Sequence, residues 1–295
     1  MTPFFSIIIP TFNRADFIAK TIQSFLNQTC QNFEILIIDD GSTDNTENVI
    51  RKFNDIRIFY FKKNNEERGA ARNFGTKRAK GLYVNFFDSD DIAYPNHLET
   101  AYDFIQNKGE IEVFHLDYEV KKSDGIKIWN AVPTYNINQQ LMDGNLLAVG
   151  GTFLKREIAL QYPFQEDKLM AGSEDYLLWL QLASKYKFFN NPVCTSAYIE
   201  HSSNSVLNFS KDALIQRKEL MLNYVFEDKS IMQYYGKNIS RLKSTTYFYA
   251  ALHLMMMGCK KEGTYYLIMG LKETPALLFT KRFIVILKYF LLYSK

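Results

Sequence analysis

The first hundred residues alternate between short apolar β-branched runs and amphipathic segments, and few folds accommodate that order. "FSIIIPTF" is a β-branched run ended by Pro10, as suits a strand buried on both faces of a parallel sheet. "ADFIAKTIQSFLNQT" follows, with Phe17, Ile18, Ile22, Phe25 and Leu26 at helical spacing. "FEILIIDD", "IRIFYFKK" and "LYVNFFD" read as three more strands, separated by the helical segments "STDNTENVIRKF" and "GAARNFGTKRAKG". Parallel strands need crossover connections, so this βαβαβαβ order predicts an α/β fold with a mostly parallel sheet flanked by helices. Ligands of such sheets bind at the carboxyl ends of the strands. Pro10-Thr11, Asp39-Asp40 and Asp88 to Asp91 all fall there.

The rest of the chain is less regular. "IEVFHLDYEV" and "GIKIWNAVP" predict strands paired as a hairpin across "KKSDG", and "GSEDYLLWLQLASKY" predicts a helix with acids in its first turn. From 206 onward the pattern is helical, with Tyr, Leu and Met stripes. Hence residues 1–205 are expected to form the main domain, with halves 1–110 and 111–205, and 206–295 a helical extension. A net charge of +3 over 295 residues gives no case for a nucleic-acid partner. Cys30, Cys194 and Cys259 form no CxxC pair and read as reduced thiols of a cytoplasmic protein. No signal peptide or membrane span is expected. After Glu273 the chain carries four basic residues and no acidic one, along an apolar segment. That segment reads either as an interfacial helix on anionic lipid or as a final core helix with solvated lysines.

"NFFDSDDIAYP" puts Asp88, Asp90 and Asp91 within four positions behind two phenylalanines. Such crowding requires compensation. An EF-hand loop from Asp88 fails, because Ala93 stands where glycine is needed and Pro95 interrupts the loop. Glu99 instead fits a capping box begun by Asn96. An acidic turn in water is the plainer reading. The functional one is a site for Mg²⁺ or Mn²⁺ held by one or two carboxylates, with substrate phosphates completing the shell. In "IIDDGSTDNT", Asp40 is expected to cap the following helix, and Asp39 at the strand end to accept a hydrogen bond from a ligand. Neither G-x-G-x-x-G nor G-x-x-x-x-G-K-[ST] is present.

"SIIIPTFNRADFIAKTIQSFLNQTCQNFEILIIDDGSTDNT", "RGAARNFG", "NFFDSDD" and "SEDYLLWLQLA" occur in an order that resembles the family 2 glycosyltransferases of GT-A fold. The resemblance is dense over 4–100, patchy to about 205 and weak beyond. It implies a nucleotide-diphosphate sugar donor, with inverting transfer to an acceptor hydroxyl. By position, Pro10, Thr11, Phe12 and Arg14 would line the base and ribose pocket, and Asp39 would pair with the base, uracil being expected. Arg68 and Arg72 would lie near the donor, although Arg72 equally suits a structural ion pair. Asp88-Ser89-Asp90 matches the Asp-x-Asp motif, with Asp88 and Ser89 toward ribose or sugar, Asp90 on Mn²⁺ or Mg²⁺, and Asp91 supporting the turn.

Glu174-Asp175 matches the family's acidic pair, which makes Asp175 the expected catalytic base, although acids in a first helical turn also complement the helix dipole. His201 stands near where the family places a histidine on metal or diphosphate. His97, His115 and His253 carry only a structural reading. The Q-x-x-R-W motif of processive synthases is absent, so the resemblance implies transfer of a single sugar. The implied acceptor is a glycan or lipid-linked glycan of the bacterial surface, reached from the cytoplasm or from the inner face of the membrane through 276–295. Two other classes stay open. A sugar-nucleotide pyrophosphorylase should show a Gly-rich basic loop after the first strand, where "PTFNRADF" stands. A non-catalytic sugar-nucleotide-binding module should lack the acidic pair.

Overall fold

A computed structural model of the chain describes residues 2–122, 124–201 and 210–292. The strands are β1 (Phe5–Thr11), β2 (Phe33–Asp39), β3 (Ile58–Lys62), β4 (Tyr83–Phe86), β5 (Ile92–Ala93), β6 (Val113–Lys121), β7 (Lys127–Asn130), β8 (Thr152–Lys155) and β9 (Phe189–Ile199). They form one sheet in the order β3-β2-β1-β4-β8-β6-β9-β5, with β7 paired to β6. The block from β3 to β4 is parallel throughout, as the βα alternation requires. Beyond it β8 runs antiparallel to both β4 and β6, while β6 and β9 are parallel. The expected hairpin is the antiparallel β6–β7 pair.

The helices are α1 (Ile18–Leu26), α2 (Thr46–Ile50), α3 (Glu67–Thr76), α4 (His97–Lys108), α5 (Ile137–Gln140), α6 (Arg156–Gln161), α7 (Glu174–Ala183), α8 (Lys211–Glu227), α9 (Lys229–Tyr235), α10 (Ile239–Met256), α11 (Lys260–Glu273) and α12 (Lys281–Leu292). Alternate residues of the parallel strands enter two separate cores. Ile7, Ile9, Ile35 and Ile37 pack with Ile18, Ile22 and Phe25 of α1. Ile8, Leu36, Ile38 and Phe86 pack with Ala71 of α3 and with Leu178 and Trp179 of α7. Burial on both faces is why these strands read as continuous apolar runs. Gly69 lets α3 approach the loop after α6, because a Cβ there would stand 2.5 Å from the Gln165 carbonyl oxygen.

The C-terminal helices are bound to this body. Met221, Leu222 and Val225 of α8 enter the core on the α7 side, whereas Leu214 joins a third cluster with Phe248, Leu254, Tyr266 and Ile286. Two local expectations are corrected. Asn96 makes no side-chain cap of α4, and Glu99 instead accepts from the Thr29 hydroxyl at 2.9 Å. Asp40 caps the start of α3 rather than α2, taking the Glu66 and Glu67 backbone N–H groups at 3.1 and 2.8 Å and Lys63 Nζ at 2.8 Å. The neighbouring β3–α3 connection outcompetes the local one in both backbone donors and charge.

Candidate active site

The turn after β4 gives each of its three carboxylates a separate partner. Asp88 Oδ1 accepts from Arg72 Nη2 at 2.9 Å. Asp90 Oδ2 lies 3.2 Å from Arg14 Nε and 3.1 Å from His201 Nε2. Asp91 Oδ1 accepts from the Ile199 backbone N–H at 2.9 Å, tying the turn to the end of β9 just before His201. Burial, then the charges of Asp88 and Asp90, push the Asp91 carboxyl well up. The crowding that made the motif puzzling is thus relieved by three elements far apart in sequence. His201 stacks on Phe17, with ring centroids 4.3 Å apart. Among the described residues no group of three or more His, Cys, Asp and Glu converges on a metal position. The convergent pair Asp90 and His201 nevertheless offers a hard oxygen and an imidazole nitrogen. That set fits a divalent cation completed by phosphate oxygens.

Register places Thr11 beside Asp39 at the ends of β1 and β2. Asp39 is fully buried, and its carboxylate accepts from Tyr60 Oη and from the Ser42 backbone N–H, both at 2.7 Å. Thr11 Oγ1 is buried without a hydrogen-bond partner, and Phe12 is exposed. Asn13, in the left-handed region at φ 52°, takes the Thr43 N–H on its side-chain oxygen at 2.9 Å and gives its own N–H to Ser42 Oγ. It clamps the loops after β1 and β2 against each other. Neither Asn13 nor Tyr60 stood out in the sequence, although Asn is one of the few residues besides glycine that visits the left-handed region readily.

Arg72, 1% exposed, bridges the two acidic motifs. One guanidinium nitrogen reaches Asp88, and another donates to Glu174 Oε1 at 2.7 Å. Glu174 Oε2 also accepts from the Gly172 and Ser173 backbone N–H groups. Arg72 therefore forms the ion pairs left open from the sequence, while its side chain also lines the cavity. Arg68 Nε lies 3.9 Å from Glu174. Beside this network Asp175 Oδ2 accepts from Asn145 at 2.8 Å. Burial, then the Glu174 charge, raise the Asp175 carboxyl to about 6, with Arg72 opposing. A carboxylate there is ionised at neutral pH yet basic enough to take a proton.

Asp88, Arg68, Arg72, Glu174 and Asp175 line one cavity of about 490 Å³. The helical extension contributes to the same lining, through Lys218 of α8, Thr245, Thr246 and Tyr249 of α10, and Arg282 of α12. Their helices carry only packing stripes in sequence, so nothing local marks these residues as part of a site. Phe12, Arg14, Asp39, Asp90 and His201 lie outside this cavity's lining. His115 and His97 are fully buried, and burial lowers them to about 4 and about 3. The His115 ring joins Asn190 and the Ala148 N–H, as a structural histidine does.

Residues 6–162 match the family described as glycosyl transferase family 2, which is over half of the chain. The chain belongs to glycosyltransferase family 2. It is 33% identical over 221 residues to the Escherichia coli UDP-Glc:alpha-D-GlcNAc-diphosphoundecaprenol beta-1,3-glucosyltransferase WfaP, covering 73% of this chain and 84% of that one. An uncharacterized glycosyltransferase of Rickettsia felis is 36% identical over 186 residues, which are 61% of this chain. This family member spans 30% of that relative's length. Among solved structures, S. aureus TarS 1-349 in complex with UDP-GlcNAc superposes at TM-score 0.64 with 15% identity, over 91% of this chain and 88% of that 1-349 chain. Mannosyltransferase PcManGT from Pyrobaculum calidifontis, in complex with GDP-Man and Mn2+, gives 0.62 with 14% identity over 100% and 89%. The family member thus has the GT-A-type α/β fold, with C-terminal helices added to it.

Proposed function

We propose that this family 2 protein transfers one sugar from a nucleotide-diphosphate sugar, a UDP-sugar, to an acceptor hydroxyl with inversion. The observation that carries the reading is the buried Asp88–Arg72–Glu174 bridge, which fixes the donor-side turn and the helix bearing Asp175 on one cavity. On this reading Pro10, Thr11, Phe12 and Arg14 hold the nucleoside with Asp39, while Asp88, Ser89, Arg68 and Arg72 face the ribose, the sugar and its diphosphate. Asp90 and His201 would hold Mn²⁺ or Mg²⁺, which when bound neutralises the leaving diphosphate. Asn145 orients the Asp175 carboxylate. Asp175 takes the proton of the acceptor hydroxyl as its oxygen attacks the anomeric carbon. The bond from that carbon to the diphosphate oxygen breaks on the opposite face, which inverts the configuration.

The names and bound ligands of the relatives support a UDP-sugar donor and a lipid-linked acceptor in surface polysaccharide synthesis. Among the described residues no helix is long and apolar enough to cross a membrane. Exposed Phe279, Ile284, Leu291 and Leu292 beside Lys281, Arg282 and Lys288 support peripheral docking of 276–295 on an anionic bilayer. A thermal-shift screen of UDP- and GDP-sugars with and without Mn²⁺ tests the donor reading. Metal-dependent stabilisation by a UDP-sugar, lost in a folded Asp90→Ala variant, is expected. No stabilisation by any nucleotide sugar would overturn it.

A further inference from the structure

The wall that the C-terminal helices give the cavity is cationic where it faces the base. The acidic groups of this cavity are already engaged. Asp88 and Glu174 share Arg72, Asp91 holds the Ile199 N–H, and Asp143 is taken by both ends of the Arg241 guanidinium. Asp175 is held by Asn145. Against the start of α7 stands Lys218, 8% exposed, whose Nζ donates to the neutral Ser173 hydroxyl at 2.9 Å and sits 4.2 Å from the centre of the Tyr249 ring. Lys218 has no carboxylate partner among the described residues. Arg282 likewise makes no ion pair among them. Its guanidinium approaches Gly144, the neighbour of the Asn145 that holds Asp175.

A buried ammonium without a counter-ion is costly, and a chain that keeps one beside a substrate cavity has a reason in what binds there. Burial and the nearby Arg217 lower Lys218 to about 8, against the opposing charges of Asp175 and Glu174, so the amine is still mostly charged at neutral pH and attracts an anion. Burial and then Lys218, Arg217 and Arg282 lower His253 to about 4, which marks the same region as positive. The donor diphosphate is assigned to the strand-end side of the site, so these cations are left for the other substrate.

We infer that Lys218 and Arg282, with the Tyr249 and Thr246 side chains beside them, form an anion subsite for a phosphate or diphosphate carried by the acceptor. This rests on the donor reading above, because it takes the part of the cavity lined by the C-terminal helices to be the acceptor's. Three ammonium donors and a forked guanidinium suit phosphate oxygens. Ionic attachment at one end of the acceptor would hold its sugar hydroxyl against Asp175, converting binding energy into orientation. The phosphate could belong to a soluble sugar phosphate or to the headgroup of a lipid carrier, and the chemistry at the protein is the same.

The test is titration calorimetry on the full chain saturated with UDP and Mn²⁺, so that the donor diphosphate site is filled. Inorganic pyrophosphate and monomeric farnesyl diphosphate are the probes. Both are expected to bind, and Lys218→Met or Arg282→Ala is expected to weaken them about tenfold or more while UDP affinity holds. Arg282 is exposed at the rim, so its variant keeps the test valid if Lys218→Met fails to fold. Tighter binding of farnesyl diphosphate than of pyrophosphate supports the subsite with a lipid carrier as its source, and equal binding supports it with a soluble phosphate. No binding of either probe alongside intact UDP binding, or binding indifferent to both substitutions, overturns the subsite alone. Failure of the wild type to bind UDP overturns the donor reading and the subsite with it.

Discussion

Replacing Asp175 by asparagine should stabilise the protein while stopping transfer. The carboxyl is raised from 3.8 to about 6, first by burial and then by the Glu174 charge. At roughly 1.4 kcal/mol per pH unit, holding it ionised at neutral pH costs the fold about 3 kcal/mol. Asp175 is partly exposed, so solvent screening reduces this to ~1–2 kcal/mol. The introduced amide removes the charge, and its oxygen still accepts the Tyr176 N–H that Oδ1 takes now at 2.7 Å, while the exposed Asn145 hydrogen bond to Oδ2 is given up to water. A gain of that size should raise Tm by about 2–4 °C in a chain of this length.

The pH dependence supplies the sign. A carboxyl raised on folding contributes stability that is fully present below its unfolded value and is lost as pH rises through the folded one. Wild type therefore loses stability between pH 3.8 and about 6, and the variant does not. The variant's advantage should be complete at pH 7.5 and gone near pH 3.5, read by urea unfolding at each pH. Transfer from a UDP-sugar should fall by a factor of about 10²–10⁴ with the base removed. A variant less stable than wild type at pH 7.5, or an advantage that persists unchanged at pH 3.5, would refute the account of Asp175.

Arg72→Met should destabilise the fold by about 3 kcal/mol in urea unfolding, since it removes the cation in contact with Glu174, 3% exposed, and leaves only Arg68 at 3.9 Å. A loss below about 1 kcal/mol would mean that Arg68 with the Gly172 and Ser173 amides satisfies the carboxylate. The full chain should sediment with anionic liposomes and not with neutral ones, and Ile284→Glu with Leu291→Glu should abolish that, both positions being exposed on α12. Equal sedimentation of the double variant would remove α12 as the docking element.

The parallel block was legible because its strands are buried on both faces, so that "FSIIIPTF" and "FEILIIDD" needed no partner to be recognised. The Asp-x-Asp turn was legible because crowded carboxylates demand compensation. What compensates them was not, since Arg14, Arg72 and the end of β9 with the Ile199 N–H and His201 are three elements between 16 and 111 positions away. The capping errors have the same origin. Glu99 and Asp40 had local partners within reach, but Thr29 in one case and Lys63 with the Glu66 and Glu67 amides in the other were better placed by the tertiary fold. Local motif rules rank near partners only, and a parallel sheet brings remote loops equally close.

The C-terminal helices are the larger omission, and their packing explains both why they were silent and what they add. Residues of α8 and α10 alternate between core and cavity, so Met221 packs beside Lys218 one turn away, and Phe248 beside Tyr249. A stripe of that kind reads as packing because most of it is packing. The same helices carry the cavity wall and, through α12, the exposed apolar surface proposed to meet the bilayer. Arg282 reaches the cavity rim from the helix that bears Ile284 and Leu291. On the proposals above, an acceptor anchored in that bilayer would present its phosphate at Arg282 and Lys218 before its sugar reached Asp175, and the extension would then guide the acceptor rather than merely append to the fold.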